Sequence, residues 1–105
     1  MEPFTMMFLY VGYRLAKVMF ENIDSIVETA QLAWNTVKSW LSARFTGEHD
    51  IGNLVKERMA NGSFRVVAGV FNSGTMRERT AWECKDMDTD LLKQFGSKDC
   101  VEVRL

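Results

Sequence analysis

At 105 residues, 47% hydrophobic and 26% charged, the chain has the size and make-up of one globular domain around one core. Its formal net charge of −1 leaves neither half with a marked surplus, which argues against nucleic acid as a partner, because such binders concentrate Lys and Arg. Two cysteines, Cys84 and Cys100, are too few for a disulfide framework and match no zinc spacing, so both read as reduced residues of a cytoplasmic protein.

Residues 1–20 read as an apolar helical arm or oligomerisation segment. The run from Phe4 to Tyr13 is almost wholly apolar, yet it is about half the length that crosses a bilayer, and Arg14 and Lys17 interrupt its continuation. A signal peptide would carry its positive charge before such a run, whereas here Glu2 precedes it and the bases follow. Phe4, Phe8, Val11, Leu15 and Val18 recur at helical spacing and form one stripe.

Residues 21–46 carry the strongest periodic signal and predict the main amphipathic helix. Met19, Ile23, Ile26, Ala30, Ala33, Val37 and Trp40 fill one lane, and Phe20, Val27, Trp34 and Leu41 fill a parallel one. Only Leu32 breaks the polar back. The register of the first stripe differs from that of the second, which places a kink near residues 20–25, where Ser25 and Glu28 have capping-box spacing. Arg44 suits the last turn, and Gly47 the left-handed position that ends a helix.

Asp50 then offers a cap for a short helix over residues 50–61, with Ile51, Leu54, Val55 and Met59 on one side and Asn61-Gly62 ending it. Residues 63–105 change period and predict a β-β-α-β unit. Phe64–Phe71 is apolar on both faces, as a central strand is; Asn72–Thr75 is turn chemistry; Met76–Lys85 alternates. Asp86, Asp88 and Asp90 crowd the start of a helix whose inward face is Leu91, Leu92 and Phe95, ended by Gly96. Cys100–Leu105 is the last strand, with Val101, Val103 and Leu105 inward. Connection rules give a three-stranded antiparallel sheet of order 2-1-3, in an α+β domain led by the long N-terminal helix. Cys84 and Cys100 then sit on opposite edge strands, too far apart to be bridged.

No catalytic, metal or cofactor motif emerges. The aspartate run lacks the Gly and the bidentate Glu that a calcium loop needs at its sixth and twelfth places, which hold Leu91 and Ser97. His49 is the sole histidine, in a polar loop, and nothing in the sequence brings it to either cysteine. Lys56, Arg58, Arg65, Arg77 and Arg79 are interleaved with Glu57, Glu78 and Glu83, as in cross-strand ion pairs.

The remaining feature is a surplus of apolar helix. A continuous helix from residue 4 to 45 would be about 60 Å long, against a width of roughly 35 Å for a domain of this size. The expectation is a non-enzymatic protein-interaction module, a homodimer joined by Phe4, Phe8, Val11, Leu15 and Val18. Two alternatives stay open: a membrane-surface protein using the same stripe, and a binder of a small ligand or nucleic acid in a cleft near Trp82, lined with Trp34 and Trp40.

Overall fold

The computed structural model describes residues 23, 25–47, 49–73 and 75–105. These form five strands and two helices in the order β1 (Val27–Leu32), α1 (Trp34–Arg44), β2 (Ile51–Arg58), β3 (Phe64–Asn72), β4 (Thr75–Met87), α2 (Thr89–Phe95) and β5 (Cys100–Val103). The strands make one mixed sheet in the order β1-β4-β3-β2-β5. β1 runs parallel to β4, and every other neighbouring pair is antiparallel.

The expected long helix is overturned from Val27 onward. Residues 27–32 are an edge strand, and the helix proper is the 11 residues Trp34–Arg44. Ser25 and Glu28 therefore cap no helix. Leu32, the residue that broke the polar back of the helical reading, is the one fully buried side chain of β1. The second half of the expected stripe does face the core: Val37 and Leu41 are buried, and Trp34 and Trp40 pack against the same cluster. Arg44 lies in the last turn as expected, but the cap is Phe45 in extended backbone, and Gly47 has no left-handed conformation. The expected register of residues 1–20 lies outside the described residues; of the expected kink region at residues 20–25 only Ile23 and Ser25 are described, and neither is helical.

The expected short helix at 50–61 is also overturned, because residues 51–58 are β2, inserted between β3 and β5. The sheet thus has five strands and not three, and Cys84 lies on the inner strand β4 while Cys100 is on the edge. The two thiols are free, with β3 and β2 between their strands. β3 holds the centre of the sheet as expected.

Both helices cover one face of the sheet. The main core joins Leu32, Val37, Leu41, Leu54, Val66, Val70, Trp82, Met87, Leu91, Phe95 and Val103. Two expected inward residues are outside it: Leu92 and Leu105 are exposed. α1 crosses β2 closely because Gly52 has no side chain. A Cβ there would lie 3.1 Å and 3.3 Å from the Leu41 methyls and 3.4 Å from Phe45 Cζ. Since Leu41 is fully buried and has little room to withdraw, Gly52→Ala is expected to destabilise the fold by about 1–3 kcal/mol, measured by urea unfolding.

The opposite face carries a smaller cluster of Val55, Val67, Phe71 and Ala81, against which Ile23, Ile26, Met76 and Cys100 pack. The chain therefore enters β1 from the face that the two helices do not cover.

Candidate functional site

The densest polar arrangement sits at one end of the sheet, around Asp50, the single buried charged residue among those described. Its Oδ2 accepts from the Thr46 N–H at 2.7 Å, the Gly47 N–H at 3.1 Å, the Thr46 hydroxyl at 3.4 Å and Arg77 Nη1 at 2.9 Å. Its Oδ1 accepts from Asn72 Nδ2 at 2.9 Å. Three segments meet there because Ile51 pairs with Phe71, which sets Asp50 beside Asn72. The β3–β4 register then slips between Val70 and Phe71, pairing Val70 with Glu78 and Phe71 with Met76. Arg77 is the extra residue, and such a bulge re-aims a side chain, here toward Asp50.

The amide of Asn72, the N–H groups of Thr46 and Gly47 and the Arg77 guanidinium hold the Asp50 carboxyl well below the usual carboxylate range, against the opposing effect of its burial. A buried carboxylate held ionised in this way has no proton to give, and its Oδ2 is fully engaged by donors. It pins the turn after α1 to the sheet. Asp50 was expected to cap a helix that follows it; instead it receives backbone donors from the turn that precedes it.

Beside this anchor Arg44 donates to the Trp40 carbonyl at 3.2 Å, lies 4.4 Å from the Trp40 ring centroid and reaches Glu78 at 3.9 Å. Trp40 meets Trp82 edge-on, with ring centroids 6.3 Å apart. Of the three tryptophans expected to line a cleft, the structure thus brings Trp40 and Trp82 together, and Trp34 packs against the same core from the start of α1.

Near the junction of the two helix N-termini, Asp88 performs the capping expected of the aspartate run, and more. Its Oδ1 accepts from the Leu91 N–H at 2.8 Å, capping α2, and from the Trp34 N–H at 3.1 Å, serving α1, whose own N-cap Ala33 has no acceptor side chain. The Asp88 N–H donates to the Leu32 carbonyl at 3.0 Å, tying in the end of β1. Asp90 lies in the first turn of α2, and Asp86 accepts from the Met87 N–H at 2.9 Å.

The nucleophile candidates are kept apart. His49 is exposed in the turn before β2, Cys84 is buried in the main core, and Cys100 packs with the cluster on the opposite face. Burial pushes both thiols up from their ordinary pKa, which disfavours the reactive thiolate. Among the described residues no group of three or more His, Cys, Asp or Glu is placed to hold a metal ion. Arg65 on β3 stands between Glu57 of β2 and Glu83 of β4, the cross-strand row expected from the sequence, although its Nε is buried without a hydrogen-bond partner. The other expected bases are engaged locally: Lys56 lies over the Phe95 ring and 4.0 Å from Asp99, and Arg58 over the Phe64 ring.

Among the described residues no helix is long and apolar enough to cross a membrane. No protein-family model, curated protein or solved structure matches the chain.

Proposed function

We propose that this chain is a small, non-enzymatic interaction module of the cytoplasm that pairs with a second copy of itself through its N-terminal segment, with Phe4, Phe8, Val11, Leu15 and Val18 as the contact. The observation that carries this reading is the stripe itself: Phe4, Phe8, Val11, Leu15 and Val18 recur at helical spacing in a run too short to cross a bilayer. Among the described residues the main core begins at Leu32 and is closed by α1 and α2 on one sheet face. Ile23 and Ile26, two of the described residues that precede β1, pack against the smaller cluster on the opposite face. A stripe of five large apolar side chains needs apolar company, and closed two-fold pairing is the commonest way to supply it. Two further features support the reading: the densest polar arrangement is a structural anchor with its acceptors occupied, and the free thiols of Cys84 and Cys100 suit a reducing compartment.

The test uses the full chain. Light scattering at micromolar concentration is expected to give a dimer for the natural sequence and a monomer for the double substitution Phe8→Glu and Leu15→Glu, with unchanged circular dichroism. A natural chain that is already monomeric contradicts the proposal, as does a dimer that both glutamates leave intact.

A further inference from the structure

We infer that the sheet face opposite α1 and α2 is the seat of this chain's own N-terminal segment, which lays Met6, Leu9, Tyr13, Ala16 and Phe20 on the cluster of Val55, Val67, Phe71 and Ala81. This goes beyond the self-association proposed above and does not rest on it, since the side of the segment that it uses is the one away from Phe4, Phe8, Val11, Leu15 and Val18.

Burial shows that this face is covered. Val67 and Ala81 are fully buried, and Val55 and Phe71 nearly so, although both described helices close the other side of the sheet. A side chain on the solvated face of a sheet keeps much of its surface, so a layer of chain must pack over these four. Shielding extends to Arg65, two residues before Val67 and on the same face, whose Nε is shut off from water. Among the described residues, Ile23, Ile26, Met76 and Cys100 pack against the cluster. Ile23 and Ile26 precede β1, so the chain already lies on this face where 22 further residues lead into it.

The sequence of those residues fits the seat. Met6, Leu9, Tyr13, Ala16 and Phe20 are spaced by three, four, three and four, which sets them along one side of a helix. At 3.6 residues per turn this lane is centred about 160° from the stripe of Phe4, Phe8, Val11, Leu15 and Val18. Arg14 and Glu21 fall between the two. Lys17 falls at the border of the lane, where its stem can lie along the sheet while its ammonium reaches water. A helix apolar on two opposite sides is one that is covered on both. Length agrees as well: residues 4–20 as a helix would run about 25 Å, within the roughly 30 Å of the nine-residue strand β3. The sheet then takes one side of the segment, and the stripe is left for a second copy.

The natural full-length chain tests this directly. Nuclear Overhauser contacts are expected between the Tyr13 ring and the methyls of Val55 and Val67, and they are expected to vanish in isotope-filtered spectra of mixed labelled and unlabelled chains, which report contacts between copies. Cys100 packs on the same cluster, so its alkylation reads the cover. Tyr13→Glu is expected to speed iodoacetamide labelling of Cys100 by about tenfold while Cys84, buried in the main core, keeps its rate. Phe8→Glu is expected to leave both rates unchanged. If Tyr13→Glu exposes Cys84 too, the whole fold has opened and the contacts in the natural chain decide. Absence of those contacts, their appearance between copies, or a Cys100 rate that responds equally to both substitutions overturns the seat. A monomeric natural chain that keeps the contacts overturns self-association and leaves the seat standing.

Discussion

Leu41→Ala is expected to remove about 2–5 kcal/mol of folding free energy, with the value in the upper half of that range. Leu41 is fully buried, and its methyls fill the space over Gly52, a position where the strand supplies no side chain of its own. Truncation leaves a cavity bounded on one side by bare sheet backbone, which cannot collapse inward as neighbouring side chains would. For a domain with a total stability of about 5–15 kcal/mol the loss is large enough to leave the chain marginal. The same geometry predicts a coupled result. Gly52→Ala, destabilising in the natural chain, is expected to restore part of the loss when combined with Leu41→Ala, because the new methyl then occupies the cavity. Urea unfolding of the two single variants and the double variant measures the coupling; strict additivity would show that the helix does not rest on Gly52.

Asp50 carries the second large effect. Asp50→Ala removes the acceptor for Thr46, Gly47, Asn72 and Arg77 together, leaving several donors unserved at one end of the sheet, and is expected to lower Tm more than any exposed carboxylate substitution. The pH dependence follows in sign. The folded-state pKa of Asp50 is depressed below its unfolded value, so the unfolded chain takes up the proton first as pH falls. The contribution of Asp50 is fully present above the unfolded carboxylate pKa of about 3.9 and is lost progressively as pH drops from there through the folded-state value. Asp50→Asn, which cannot titrate, is expected to be less stable than the natural chain at pH 7 and to approach it in strong acid. Equal separation of the two unfolding curves at every pH would show that Asp50 is not held ionised by this network.

Much of the second half of the fold was readable as sequence, because β3, β4, α2 and β5 carry simple signals: a doubly apolar run, turn residues, an aspartate cap and a short alternating strand. The first half misled for a physical reason. Ile23, Ile26, Ala30 and Ala33 fall at helical spacing, but β1 is an edge strand whose side chains are mostly exposed, so it has no buried face to impose a period of two. Leu32 alone recorded its true setting. In β2, Leu54 and Val55 are adjacent, which a helix reads as one apolar side; here they point to opposite faces, Leu54 into the main core and Val55 into the smaller cluster. Gly52 and Asn53, both poor helix formers, were the available warning.

The Asp50 anchor was out of reach for a different reason. Asp50, Asn72 and Arg77 meet only because β2 pairs with β3 in one register and a bulge displaces Arg77, and neither fact has a local signature. Asp88 was half readable: its cap on α2 follows from spacing, whereas its bond to the Trp34 N–H depends on β1 lying beside β4.

The claim on which the functional account stands is that one copy of this chain is not its final form. Sedimentation equilibrium of the intact, untagged chain across the micromolar range tests it most directly. A single species at twice the 12.1 kDa of one chain is expected, giving way to monomer only on dilution. A mass of 12.1 kDa at every concentration would contradict it.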